Sequence, residues 1–107
     1  MTVEQFATYV VDNIDRATCA NALNISNRFF GQNSYSFDVF LKNVCKTVEG
    51  HLRENKLDNA TALQMLGACG IALKRLGSDK RYDFRMVVDD FVLSLWQAVN
   101  TRGADGS

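Results

Sequence analysis

The sequence predicts an all-α protein, a compact bundle of four to five helices that ends in an antiparallel helical hairpin. Three observations carry that prediction. No proline occurs in the 107 residues, so nothing in the chain lacks the amide that a helix interior needs. Alternation of apolar and polar residues, the mark of a half-buried strand, is weak throughout. Apolar side chains recur instead at spacings of three and four, which collects them on one side of a helix.

The first helix opens on Thr2-Val3-Glu4-Gln5, a capping-box pattern in which Thr2 accepts from the backbone and Gln5 reaches back. Val3, Phe6, Val10 and Ile14 then point inward, and Asp12 precedes Arg16 by four, the favourable order for an ion pair. Residues 17–30 either extend this helix or form a short second one. Asn21, Asn24 and Asn27 weaken both versions, because asparagine competes for backbone hydrogen bonds. Gly31 is a helix stop, and Gln32-Asn33-Ser34 reads as loop.

Ser34 or Ser36 caps the clearest helix, which has Phe37, Phe40, Leu41, Val44, Val48 and Leu52 on one side and ends near Asn55. Asp38–Lys42 and Glu49–Arg53 repeat the acid-first spacing on its outer side. Asp58 or Asn59 caps the next helix, predicted to turn Ala62, Leu66, Cys69, Leu73 and Leu76 inward and to end at Gly77. Ser78 restarts the chain at once, giving a tight hairpin with the last helix. Residues 1–101 are thus expected to be one helical domain, and 102–107, with no apolar anchor, a flexible tail.

The last helix carries two apolar seams. One is Phe84, Val88, Phe91, Leu95 and Ala98, thickened by Val87 and Val99; the other is Tyr82, Met86, Asp89, Leu93 and Trp96. At 100° per residue the seams lie roughly 160–180° apart, so the helix is either central in its bundle or the seat of an interface. Tyr, Trp and Met are enriched where proteins meet, which makes Tyr82, Met86, Asp89, Leu93 and Trp96 the expected partner-binding set.

Composition narrows the class of function. Twelve basic and twelve acidic side chains leave a formal net charge of zero, which does not describe a generally basic nucleic-acid binder. Cys19, Cys45 and Cys69 are odd in number and lack a Cys-x-x-Cys pair, which suits small buried residues in a reducing cytoplasm. The chain starts without a signal-peptide pattern and contains no apolar run of bilayer length, so neither export nor membrane insertion is expected.

No catalytic, metal or cofactor pattern stands out. His51 is the only histidine and has no nucleophile at motif spacing, and Asp89 and Asp90, adjacent on a helix, diverge by about 100°. Gly67 and Gly70 follow no strand, so they form no phosphate loop. With Leu63 and Lys74 they form a groove, expected to receive an internal ring from Phe29, Phe30 or Trp96, or else a partner helix.

A basic cluster marks the hairpin tip. Lys74 and Arg75 suit a helix C-terminus, whereas Lys80, Arg81 and Arg85 begin a helix, where cations are disfavoured. That placement makes Lys80, Arg81 and Arg85 the expected contact for an anion or an acidic partner. The expected function is non-enzymatic, a regulatory or adaptor protein contacting another protein or a second copy through its last helix. The alternative is a nucleic-acid-associated factor gripping phosphate through the tip, although a helix apolar on both sides offers no base-reading surface.

Overall fold

A computed structural model describes residues 2–31, 35–77 and 83–105. Their backbone forms α1 (Val3–Asn13), a 3-10 turn (Ile14–Arg16), α2 (Cys19–Phe30), α3 (Phe37–Arg53), α4 (Asn59–Gly77) and α5 (Phe84–Asp105). The all-α bundle predicted from periodicity is therefore what the chain adopts. α1 packs on α3, α3 on α4, α4 on α5, and α5 on both α2 and the 3-10 turn. The last helix is flanked on two sides.

Local chemistry explains most boundaries. The Thr2 capping box is complete: the Gln5 amide donates to the Thr2 hydroxyl at 3.2 Å, and the Thr2 amide to the Gln5 side chain at 2.9 Å. Ala17 and Thr18 are extended, and this break separates α1 and its 3-10 turn from α2. Thr18 caps α2 by accepting from the Asn21 amide at 3.1 Å, so residues 19–30 form a helix of their own. Ser36, not Ser34, precedes α3; residues 32–34 lie outside the described residues. The Ser36 hydroxyl bonds Asp38, and that bond is the main reason its carboxyl sits below the usual carboxylate range.

α3 ends in a Schellman motif. The Lys56 amide donates to the His51 carbonyl at 2.8 Å and the Asn55 amide to that of Leu52 at 3.2 Å, while Asn55 itself holds a φ of 61°. A left-handed residue without glycine's freedom costs roughly 1–2 kcal/mol, least for asparagine. Asn55→Gly should therefore leave stability equal or higher, and Asn55→Val should lower it by about 1–2 kcal/mol in urea unfolding. Asp58 then caps α4, accepting from the Thr61 amide at 3.1 Å and from its hydroxyl at 2.6 Å.

The core is built on rings. Phe40 of α3 lies 5.5 Å from Phe6, 5.4 Å from Phe29 and 5.9 Å from Phe91, so α1, α2, α3 and α5 meet around one side chain. The inward face expected for α3 is observed, with Phe37, Phe40, Leu41, Val44 and Val48 buried and Leu52 packed beside them. Asp38–Lys42 and Glu49–Arg53 form, each at 3.9 Å. Asp12 does not turn to Arg16 as expected but meets His51 of α3 at 2.6 Å.

α4 corrects the prediction. Its buried residues are Thr61, Ala62, Met65, Ala68, Cys69 and Ala72, whereas Leu66 is half-buried and Leu73 and Leu76 are exposed. The inward side is rotated by roughly 60° at 100° per residue. The cause is that α4 sits between two neighbours, and the line midway between α3 and α5 runs through Met65 and Ala72. In α5, Val87, Val88, Phe91, Leu95, Ala98 and Val99 are buried as predicted, joined by Val92. Phe84 is 44% exposed, with its ring edge against Phe30 and Phe37. The helical backbone also runs through Asp105, beyond residue 101, where the helical domain is expected to end.

Candidate functional site

The second seam of α5 divides between two environments. Asp89 accepts a hydrogen bond from the buried Ser26 hydroxyl of α2 and pairs with Arg85 at 3.4 Å. Trp96 donates its indole N–H to the Ala17 carbonyl at 2.7 Å, at the joint between the 3-10 turn and α2. Met86, by contrast, is 53% exposed, and Leu93 is half-buried. Residues seven apart drift by only about 20° on a straight helix, so Asp89 and Trp96 share one line and Met86 and Leu93 another, about 60° away. The α2 side holds the first pair. Tyr82 lies outside the described residues.

The basic tip is described only in part, because Lys80 and Arg81 lie outside the described residues. Arg85 is engaged: its guanidinium donates to Asn27 of α2, pairs with Asp89 and lies 4.6 Å from the Phe30 ring centroid. Its plane and stem cover apolar surface, which accounts for a cation near a helix start. Arg75 bridges to Asp90 across the α4–α5 hairpin at 3.1 Å.

His51 and Asp12 tie α3 to α1 and border a cavity of about 240 Å³. Val11, Ile14, Leu57, Met65 and Val99 form its apolar lining, and Asp12, Asp15, His51 and Lys56 its polar one. No Ser, Thr or Cys is among these lining residues. A second cavity, about 290 Å³, lies along α2 and carries Asn21, Asn24, Arg16 and Arg28. Among the described residues no group of three or more His, Cys, Asp or Glu converges as a metal site, and no helix is long and apolar enough to cross a membrane.

The groove of Leu63, Gly67, Gly70 and Lys74, expected to take an internal ring or else a partner helix, lies on the outer side of α4. Leu63 is 67% exposed and Ile71 55%, with Leu73 also exposed and Leu66 half-buried beside them. Between these side chains sit Gly67 and Gly70, where an added Cβ would meet nothing within 4 Å. The groove expected to hold Phe29, Phe30 or Trp96 is therefore open. Trp96 lies on the α2 side of α5 and Phe29 in the ring cluster, both directed away from α4's outer side. The signal was present in the sequence as a helix apolar around its circumference, with Gln64 and Lys74 as rare polar interruptions.

No family model, no curated protein and no solved structure matches this chain.

Proposed function

We propose that the protein acts by protein–protein contact without catalysis, and that the outer side of α4 is its contact surface. The observation that carries this reading is the uncovered stripe Leu63, Leu66, Gly67, Gly70, Ile71 and Leu73. Exposed apolar side chains grouped on one helix mark interaction sites more often than scattered ones do. Each interior glycine costs about 1 kcal/mol relative to alanine, and no internal neighbour requires either one. A close-approaching external helix would use them. The expected docking seam on α5 adds Met86 as its exposed member, while Asp89 and Trp96 serve α2.

The occupant this surface fits is a second copy, paired antiparallel about Gly67 and Gly70. Lys74 is the charge within the stripe. A parallel pair would set Lys74 against itself, whereas the antiparallel pair carries it toward the Asp58 end of the other α4. The zero net charge of the chain removes long-range repulsion between copies. A regulatory or adaptor role would follow from such an assembly, without a reaction of its own.

Light scattering coupled to size exclusion tests this across a micromolar to submillimolar series. The mass should rise toward twice the monomer's, and a Leu63→Glu/Ile71→Glu variant with unchanged helical circular dichroism should stay monomeric. A wild-type chain that remains monomeric throughout overturns the self-pairing.

A further inference from the structure

The cavity of about 290 Å³ between α1, the 3-10 turn and α2 carries positive charge only. Arg16 and Arg28 line it from different elements, and Asn13, Asn21 and Asn24 supply amides between them. No aspartate or glutamate is among its lining residues. The acids of this stretch lie elsewhere: Asp12 and Asp15 line the His51 cavity, and Asp12 pairs with His51 at 2.6 Å. The end of α1 and the turn after it thus sort their carboxylates into one cavity, and Asn13 and Arg16 into the other. Among the described residues neither Arg16 nor Arg28 has a carboxylate within ion-pair distance.

Two of the lining groups are held in place. The Arg28 guanidinium lies 4.8 Å from the centroid of the Tyr9 ring and 5.9 Å from that of Phe6. A guanidinium seated on rings keeps its in-plane N–H donors for another partner. Asn13 is fixed by donating to the Tyr9 carbonyl at 2.8 Å. Asn21, Asn24 and Arg28 follow one another at three and four residues, so α2 presents them on one face. The asparagines lower the helicity of α2, and the Asn21 and Asn24 side chains have no hydrogen-bond partner among the described residues.

We propose that this cavity is a binding site for a small phosphate monoester with a hydroxylated body, the chemistry of a sugar phosphate. Two guanidiniums match the charge of a phosphate dianion and donate to its oxygens in pairs. The amides both donate and accept, which suits hydroxyl groups beyond the phosphate. The one ring in the wall, Tyr9, is taken by Arg28, so nothing there favours a nucleobase. A volume of about 290 Å³ stands at the small end of ligand pockets, which suits a single sugar. No lining residue belongs to α4, so the site is separate from the exposed stripe.

Calorimetric titration of the whole chain at low salt provides the test, with ribose 5-phosphate, glucose 6-phosphate, ribose, inorganic phosphate and citrate as probes. At least one sugar phosphate should bind saturably and more tightly than inorganic phosphate or citrate, and ribose should not bind. Arg16→Gln and Arg28→Gln should each weaken that binding by about tenfold or more. Arg53→Gln, on α3 and outside the cavity, should leave it unchanged. Asn24→Asp, at an exposed position, should abolish it by setting a carboxylate among the donors, with circular dichroism confirming that each variant is folded. Absence of saturable binding by either sugar phosphate overturns the proposal, as does binding that Arg16→Gln and Asn24→Asp leave intact. Inorganic phosphate or citrate binding as tightly as the ester overturns it too. Binding lost only in a Lys80→Gln/Arg81→Gln variant would belong to the hairpin tip and overturns it equally.

Discussion

Replacing Phe40 by alanine is expected to lower the unfolding free energy by about 3–5 kcal/mol. Two contributions make the effect large. The ring is fully buried, so its removal forfeits the transfer of a phenyl group and leaves a void that rigid neighbours cannot close. The ring also lies within 6.0 Å of Phe6, Phe29, Phe37 and Phe91, and stacked, tilted or edge-on pairs of this kind add about 0.5–1.5 kcal/mol each beyond area. Those partners come from α1, α2, α3 and α5, so no single helix can shift to fill the space without disturbing another. A small domain holds only about 5–15 kcal/mol in total, and Phe40→Ala should bring this one near the edge of folding. Urea unfolding followed by circular dichroism measures it. A loss below about 1 kcal/mol would mean that the ring cluster is not what joins the helices.

Phe40 was also among the residues most legible in the sequence, and the reason is physical. α3 has one apolar side, so a period of 3.6 names its buried residues directly. The capping box at Thr2 was equally plain, because both halves lie within four residues. α4 was harder to orient. A helix placed between two neighbours buries the bisector of its two contact lines, and small Ala68 and Ala72 serve that place better than Leu73 and Leu76. No local pattern says how many neighbours a helix has. The same cause limits how the α4 stripe reads: the sequence places Leu63, Gly67 and Gly70 together in a groove, but the outward position of Leu73 depends on tertiary packing.

α2 posed the opposite problem. Asn21, Asn24 and Asn27 lower its intrinsic helicity, and the helix exists because Thr18 starts it and α5 holds it. Ser26 and Asn27, which bond Asp89 and Arg85 from 63 and 58 residues away in sequence, carry no local sign of that role. Arg85 read as a misplaced cation for lack of its cover. Seen with α2 in place, it packs on Phe30 and reaches two polar partners.

The second seam of α5 is where buried and exposed roles can be separated by stability alone. Trp96→Ala is expected to cost about 2–4 kcal/mol, since it removes a half-buried indole and leaves the Ala17 carbonyl without its donor. Met86→Ala, ten residues earlier in the same seam, should stay within about 0.5 kcal/mol, because its side chain is mostly in solvent. Trp96→Phe divides the Trp96 effect further: it keeps the ring against α2 and deletes only the N–H, so its loss should fall near 1–2 kcal/mol. The chain's single tryptophan gives the measurement its own probe in wild type and Met86→Ala, and circular dichroism serves all three variants. If Trp96→Ala left stability unchanged, the indole would be a surface contact and α2 would be held by Asp89 and Arg85 alone. The ranking Trp96→Ala, Trp96→Phe, Met86→Ala therefore distinguishes a helix held at the centre of its own bundle from one kept open along its whole length for another chain.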